Sequence, residues 1–317
     1  MTMRLRAPAM VRPVAVWLTT MFVVAACSNS NPLGAQVRSP DSIVVGSGDF
    51  PESQIIAEIY AQALQANGFD VGKRMGIGSR ETYISAIKDH SIDLVPEYIG
   101  NLLLYFEPAS SVTTLDAVEQ ELHRRLPADL SILTPAPATD TDTVSVTSQA
   151  ANPWNLRTIG DLAPHSADVR FGAPSAFATR PAGLPGLRQK YGLDIKPGNF
   201  VAIDDDDDGG AVTVRALLEG RVNATNIFTT SPAIPQHHLV ALDDPEANLM
   251  AGNVVPLVNS QKHPDRLKLV LDAVSAKLTT PGVAGLNAAV SGSSGVDPDQ
   301  DARNWVWDNG LNHPIGP

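Results

Sequence analysis

The stretch Ile43-Val44-Val45-Gly46-Ser47-Gly48 decides the fold. Its three β-branched residues predict a short strand, and the two glycines predict a turn after it. Residues 53–66 then repeat apolar side chains at helical spacing, and Asn67-Gly68 ends the expected helix. A strand followed by a helix in this way is typical of a parallel βαβ unit.

The alternation of strands and helices continues along the chain. A strand is expected near residues 73–77, a helix at 81–89, and a strand at 92–95 that Pro96 ends. A second set of alternating elements follows, with strands expected at 169–173, 200–203 and 222–227 and helices at 183–191, 211–219, 264–278 and 298–307.

Residues 86–93 and 216–223 are similar to each other. Both contain a helix end, a tight turn and a strand start, with Asp93 or Asn223 just inside the strand. We interpret this similarity as a structural repeat between two α/β lobes, although helix–turn–strand junctions often look alike.

Two extended stretches, residues 140–147 and 253–259, predict that the chain crosses between the lobes twice. We therefore expect an α/β fold of two hinged lobes with a cleft between them, which is the usual place for a small ligand. The expected boundaries are lobe 1 at 41–144 with 253–317 and lobe 2 at 145–252.

The composition excludes several classes of function. The 317 residues carry a formal net charge of −11, which argues against a nucleic-acid partner. No dinucleotide fingerprint, phosphate-binding loop, nucleophile elbow or zinc helix is present. The seven histidines are scattered, and Asp204 to Asp208 lack the spacing of a Ca²⁺ loop, so we expect a solvated loop there. We expect no metal, no cofactor and no enzymatic activity.

The N-terminus has the features of a secretory signal with a lipid attachment site. Arg4, Arg6 and Arg12 precede or open an apolar stretch that ends in Ala25-Ala26-Cys27, which resembles a bacterial lipobox. We expect a signal peptide at 1–26, lipid on Cys27 and a tether at 27–40. Cleavage leaves 20 basic and 34 acidic residues, a net charge of −14. The mature protein is then expected outside the cytoplasm, anchored to the cell membrane by lipid.

Four further segments resemble one known family, the glycine betaine/choline/carnitine-binding proteins of osmoprotectant ABC importers. They are Val45-Gly46-Ser47-Gly48-Asp49-Phe50-Pro51-Glu52-Ser53-Gln54, Gly78-Ser79-Arg80-Glu81, Ile92-Asp93-Leu94-Val95-Pro96-Glu97-Tyr98-Ile99-Gly100 and Thr179-Arg180-Pro181-Ala182-Gly183-Leu184-Pro185-Gly186-Leu187. The likeness covers about residues 41–290. It implies a type II periplasmic-binding-protein fold and partner permease and ATPase subunits, and we expect the protein itself to be a monomer.

The resemblance also implies a binding site, in which aromatic rings hold a quaternary ammonium group and donors hold a carboxylate. Tyr98 keeps one ring of that cage, Phe228 a second, and Arg180 the basic residue that binds a carboxylate. The ligand-binding residues implied are Gly48, Asp49, Tyr98, Asn101, Asp140, Asp142, Arg180 and Phe228.

This chain departs from the family's pattern at four of the positions compared. They are Gly48 (Lys or Gln in the family), Asn101 (often Thr), Asp142 (Tyr) and Gly252, which matches the last cage tyrosine loosely. Structural roles are the alternatives for four residues of the implied site: Tyr98 packing at a strand end, Arg180 pairing with an acidic residue, Asp142 capping the crossover and facing water, and Phe228 in the core.

The sequence therefore predicts the solute-binding protein of an ABC importer, with two alternatives for the solute. A betaine-like zwitterion would use Arg180 for its carboxylate and Tyr98, Phe228 and Asp142 for its cation. A hydroxyl-rich solute, such as a polyol or a phenolic compound, would use the polar groups left by the incomplete cage. An extracellular enzyme, a sensor or an adhesin on the same scaffold is less favoured.

Overall fold

A computed structural model of the chain describes residues 42–203, 210–262, 265–291 and 295–316. The expected signal peptide, the tether, Cys27 and Asp204 to Asp208 lie outside these residues. The strands are β1 (Ser42–Gly46), β2 (Asp70–Arg74), β3 (Leu94–Tyr98), β4 (Leu130–Ile132), β5 (Asp142–Thr147), β6 (Phe171–Pro174), β7 (Phe200–Ile203), β8 (Ala224–Phe228), β9 (Leu239–Ala241) and β10 (Val254–Asn259).

Helices cover both faces of the sheets, and short 3₁₀ segments lie in several connections between helices and strands. The helices are α1 (Pro51–Ala66), α2 (Arg80–Lys88), α3 (Ile99–Phe106), α4 (Leu115–Arg125), α5 (Ser148–Trp154), α6 (Leu184–Tyr191), α7 (Ala211–Leu218), α8 (Ala233–Gln236), α9 (Asp265–Ser275), α10 (Thr280–Ser291) and α11 (Pro298–Asp308).

The strands form two sheets with the same plan, ordered β2-β1-β3-β10-β4 and β7-β6-β8-β5-β9. In each sheet the first three strands of this order are parallel. The fourth strand, β10 or β5, belongs to a segment that crosses between the sheets, and it runs antiparallel to its neighbour. We call the parts built on these sheets lobe 1 and lobe 2. The two-lobe α/β prediction is confirmed, whereas the exact lobe boundaries stay predictions. The expected boundary between residues 144 and 145 falls inside β5.

Alternating strand residues face opposite hydrophobic layers, as the pleat requires. In β1, Ile43 and Val45 pack with α1 and with the C-terminal helices α9, α10 and α11, whereas Val44 packs with α2, α3 and α4. Lobe 2 likewise has a layer on each face of its sheet. The last three helices therefore belong to lobe 1, as the two predicted crossings require.

Two strand predictions in lobe 1 were wrong in their bounds. The strand expected near 73–77 is β2, three residues earlier, because it pairs along all of β1 and the chain then turns at Gly76 with φ +64°. Pro96 does not end β3 but lies inside it, opposite Pro256 of β10. Neither proline has an N–H, so the two face each other as a pair without ladder hydrogen bonds.

The repeat between residues 86–93 and 216–223 is confirmed in its hydrogen bonds. Asp93 N–H donates to the Val44 carbonyl, and its side chain accepts from the Val44 N–H at 2.8 Å. Asn223 N–H donates to the Arg170 carbonyl, and its side chain accepts from the Arg170 N–H at 2.7 Å. The same side-chain bridge thus fixes the start of the third parallel strand of each sheet.

Helices α3, α4, α5, α8 and α10 were not predicted from the sequence. Helix α3 follows β3 without a loop, and its buried residues Leu102 and Leu103 hold it on the outer layer of lobe 1. Within the described ranges, no helix has both the length and the apolarity that a membrane crossing would need.

Candidate functional site

A cleft of about 800 Å³ lies between the two lobes. Lobe 1 contributes α3 and the loop after it. Lobe 2 contributes residues 180–182 before α6, one face of α6 and the end of β8, and the crossing segments contribute residues 140–142 and 249–252. The position between two α/β lobes is the one in which a small ligand was expected.

Five of the eight expected ligand-binding residues line this cleft, namely Asn101, Asp140, Asp142, Arg180 and Phe228. The other three, Gly48, Asp49 and Tyr98, lie outside its lining. The Gly48 N–H donates to the Ser53 hydroxyl at 2.9 Å and so helps to fix the start of α1, whereas Asp49 is exposed to solvent.

Tyr98, at the end of β3, is buried in the core of lobe 1. Its hydroxyl donates to Glu52 Oε1 at 2.7 Å, and its ring centroid lies 6.2 Å from that of Phe50. Burial and the nearby carboxylates of Glu52 and Asp140 raise the pKa of Tyr98 well above its usual value. In this arrangement the ring packs at a strand end, which was the structural alternative for this residue.

Arg180 is paired with Asp142 on the lobe 2 side of the cleft. Arg180 Nη2 donates to Asp142 Oδ2 at 2.5 Å, and the guanidinium lies over the ring of Phe177 with its carbon 4.7 Å from the centroid. The Arg180 Nε is buried and has no hydrogen-bond partner among the described residues. The carboxylate of Asp142 and the guanidinium of Arg180 therefore both line the cleft.

The glycines of the Arg180 motif make the turn that carries this side chain. The Gly183 N–H donates to the Arg180 carbonyl at 2.9 Å. A Cβ at Gly183 would lie 1.9 Å from the Phe177 carbonyl oxygen, and one at Gly186 would lie 2.2 Å from Asn248 Oδ1. Any larger residue would push the turn open, so these glycines position Arg180 indirectly.

Phe228 stands directly across from Asp142 on the neighbouring strand β8. Among the described residues it is the only aromatic ring that lines the cleft. The lining is otherwise rich in hydroxyl and amide groups, including Ser110, Thr113 and Asn248. A ring, a carboxylate and a guanidinium thus lie side by side on one wall, without a closed aromatic cage.

Gly252 lies where the two crossing segments touch. The Asp140 N–H donates to the Gly252 carbonyl at 2.9 Å, and a Cβ at Gly252 would be only 2.1 Å from the Asp140 carbonyl oxygen. The missing ring at this position therefore has a structural cause, since the backbone of the other crossing occupies the space that a side chain would need.

Two motif residues without a role in the sequence analysis form a buried ion pair in lobe 1. Glu97 is fully buried and accepts from Arg80 Nε at 2.8 Å and Nη2 at 3.3 Å. It also accepts from the Tyr83 hydroxyl and from the Tyr98 N–H, each at 2.8 Å. Two of the segments that resemble the family thus contribute one residue each to a structural ion pair. The spacing of these residues in the sequence did not indicate that they bind each other.

A second group that sequence reasoning missed is centred on Glu52. Its carboxyl is buried at the start of α1 and accepts hydrogen bonds from the Tyr98 hydroxyl and from the Asn287 amide, which also donates to the Thr230 carbonyl at 3.1 Å. An acidic residue in the first turn of a helix is usually read as a partner of the helix dipole. The contacts with α10 and with lobe 2 could only be found in three dimensions.

The family model for the substrate binding domain of ABC-type glycine betaine transport systems matches residues 41–308. The chain belongs to this family. The glycine betaine-binding protein YehZ of Escherichia coli (strain K12) is 24% identical over 305 residues, which cover 93% of this chain and 97% of YehZ.

Solved structures of the family show the same fold. Apo YehZ superposes with a TM-score of 0.73 at 23% identity, and a glycine betaine/carnitine/choline ABC transporter structure with 0.76 at 19% identity. Each alignment covers 85% of this chain and 99% of the other. The two-lobe type II periplasmic-binding-protein fold expected from the sequence is confirmed.

Family membership settles the general role of the chain. It is the substrate-binding component of an ABC transport system, works outside the cytoplasm and serves a permease. Proteins of this family bind their solute without transforming it, so the family confirms the prediction that the chain is not an enzyme.

Proposed function

We propose that this protein captures an osmoprotectant of the betaine class in the interlobe cleft and delivers it to its permease. The observation that carries the proposal is the Arg180–Asp142 pair, which presents both charges on one wall of the cleft. A zwitterion has the same two charges, so its carboxylate fits the free donor edge of Arg180 and its ammonium fits Asp142.

The ring of Phe228 supports the same orientation. It stands across the strand pair from Asp142, so an ammonium beside that carboxylate also meets an aromatic face. The names of YehZ and of the glycine betaine/carnitine/choline transporter structure agree with this solute class. Closure of the two lobes over the solute would complete the site.

A hydroxyl-rich solute is the second candidate, and the composition of the cleft favours it. Phe228 is the one ring among the described lining residues, whereas nine of them carry a hydroxyl, amide or carboxylate group. These groups would bind sugar-like or phenolic hydroxyls. This candidate keeps the transport role and changes only the solute.

Calorimetry on the purified protein separates the candidates. Glycine betaine, choline, carnitine and a series of polyols and phenolics are titrated into the wild type, Arg180→Ala and Asp142→Asn. For a zwitterion both variants should weaken binding by about tenfold or more, because each removes the group that pairs with one charge of the solute. For choline only Asp142→Asn should weaken it. Binding of polyols or phenolics without any quaternary ammonium compound would reject the betaine class.

We also propose that lipid on Cys27 anchors the protein to the outer face of the cell membrane. The support is the apolar segment that ends in Ala25-Ala26-Cys27 after three arginines. Metabolic labelling with a fatty-acid probe should mark the wild type and leave Cys27→Ala unlabelled. Equal labelling of the two proteins would reject the anchor without affecting the solute site.

A further inference from the structure

The loop between β9 and β10 reaches the cleft and is closed by a single carboxylate. Asp244 Oδ1 accepts from the Asn248 N–H at 2.9 Å, and Oδ2 accepts from the Leu249 N–H at 2.7 Å. In the same turn Ala247 has φ +45°, a left-handed conformation that residues with a side chain rarely adopt. Such a conformation persists where the surrounding structure fixes it. We call residues 244–249 the Asp244 loop.

The last two residues of α6 support this loop. The Tyr191 hydroxyl donates to Asp244 Oδ1 and accepts from the Glu246 N–H at 2.8 Å. Lys190 Nζ donates to the carbonyl oxygens of Glu246 at 3.0 Å and of Ala247 at 2.6 Å. A hydroxyl has one proton to donate and can accept further hydrogen bonds, so both contacts of the tyrosine are satisfied at once. The Asp244 loop is therefore fixed to the end of α6.

The side chain that links this loop to the Arg180 motif is the carboxamide of Asn248. It is only 3% exposed, and the residue lines the cleft. Its Nδ2 donates to the Ala182 carbonyl at 2.7 Å, and a Cβ at Gly186 would lie only 2.2 Å from its Oδ1. Ala182 lies in the turn after Arg180, and Gly186 lies in the first turn of α6. One buried amide therefore contacts the turn that carries Arg180 at both of its ends.

The two charged groups of the proposed solute site are supported by different parts of lobe 2. Asp142 and Phe228 lie opposite each other on the paired strands β5 and β8, and the ladder of these strands fixes their positions. Arg180 lies between elements, in the turn before α6. The hydrogen bonds of Asn248 go to this turn and to the Asp244 loop. A change at Asn248 should therefore displace the guanidinium and leave Asp142 and Phe228 in place.

We propose that Asn248 is a positioning residue that places Arg180 for the carboxylate of the solute, and that the Asp244 loop holds Asn248 in place. This assignment rests on the proposed function, in which Arg180 binds that carboxylate. A guanidinium binds a carboxylate through directed hydrogen bonds, so a displaced turn weakens the contact although the charge remains. Recognition of the carboxylate thus depends on a segment far from Arg180 in the sequence.

The first test needs no solute. The Nε of Arg180 is buried, so its proton is protected from solvent and suited to observation by ¹⁵N NMR. The resonance that disappears in Arg180→Ala identifies it, and Asn248→Ala should shift it. Asn259→Ala is the matched control, since it removes another buried amide that donates to a backbone carbonyl, that of Ile87 in lobe 1. An Arg180 resonance that shifts in neither variant, or equally in both, would overturn the proposal.

The second test compares two solutes by calorimetry. Glycine betaine and choline share a trimethylammonium group, and choline has a hydroxyl where glycine betaine has its carboxylate. Asn248→Ala should weaken glycine betaine binding by about tenfold and change choline binding by less than about twofold, because hydrogen bonds to the carboxylate alone are affected. Asn259→Ala should leave both affinities unchanged. Equal losses for the two solutes, or unchanged binding of glycine betaine, would overturn the positioning role.

A milder variant keeps the test decisive if Asn248→Ala does not fold. Tyr191→Phe leaves Asn248 intact and removes one support of the Asp244 loop, so it should give a smaller loss for glycine betaine alone. Equal effects of this variant on the two solutes would also count against the proposal. Failure of glycine betaine to bind the wild type would instead reject the proposed solute, and the Arg180 resonance would still decide whether Asn248 positions the guanidinium.

Discussion

Each lobe contains an arginine–carboxylate pair from its motif segments, and the two pairs differ in what surrounds them. In lobe 1, Arg80 binds Glu97 at 2.8 Å, with side-chain exposures of 26% and 0%. In lobe 2, Arg180 binds Asp142 at 2.5 Å, with exposures of 40% and 23%. The chemistry of the ions is the same, so the difference lies in burial and in the remaining partners.

The remaining partners explain why one pair is structural and the other is available to a solute. Glu97 also accepts hydrogen bonds from the Tyr83 hydroxyl and the Tyr98 backbone, so its oxygens are satisfied inside lobe 1. Arg180 lines the cleft, and its side chain is 40% exposed, so a solute can reach the guanidinium. A buried and fully bonded pair fixes a fold, whereas a half-exposed pair can exchange one partner for a ligand.

The largest effect is expected from Arg80→Ala. It leaves the fully buried Glu97 without its counter-ion, which should lower the free energy of unfolding by about 3 kcal/mol or more. Urea unfolding of the purified protein measures the change. Arg125→Ala is the control, since its pair with Glu107 is exposed and should contribute no more than about 1 kcal/mol. Equal losses in the two variants would contradict the structural role of the Arg80–Glu97 pair.

A smaller effect is expected from Gly183→Ala, which acts on the lobe 2 pair through its turn. The added Cβ would overlap the Phe177 carbonyl oxygen, so the turn must shift at a cost of about 1–3 kcal/mol. Because Arg180 lies in this turn, solute affinity should fall together with stability.

Gly198→Ala provides the matched control for that variant. A Cβ there meets no atom within 4 Å, so unfolding free energy should change by less than about 1 kcal/mol and solute affinity should stay the same. Wild-type affinity in Gly183→Ala, measured by calorimetry, would show that the turn does not position Arg180.

Much of the two-lobe fold could be predicted from the sequence because its elements are local patterns. The strand at 200–203 has the predicted bounds, and the repeat at 86–93 and 216–223 makes the same side-chain bridges in both lobes. Pro96 misled the prediction of β3, since a proline usually ends a strand. Its position opposite Pro256 is a contact between residues 160 positions apart, which no local pattern contains.

The site was harder to predict, because its residues are defined by partners far away in the sequence. Resemblance to the family identified Asp142, Arg180 and Phe228 as cleft residues, but it could not indicate that Asp142 binds Arg180. Tyr98 carries the cage motif, yet Glu52 holds its hydroxyl in the core. Gly252 depends on the path of the other crossing, which the alternation of strands and helices does not determine.

The smallest effect on stability is expected from the lobe 2 pair itself. Arg180→Ala, Asp142→Asn and the double variant form a cycle whose coupling energy for unfolding should be within about 1 kcal/mol, because the pair is partly exposed. The same variants should change solute affinity by about tenfold or more, as both charges face the cleft. A coupling energy near 3 kcal/mol, with unchanged affinity, would make this pair structural like Arg80–Glu97. Strong effects on affinity with weak effects on stability would instead show that Arg180–Asp142 serves binding whereas Arg80–Glu97 serves folding. A charge pair that contributes little to folding can exchange one partner for a solute.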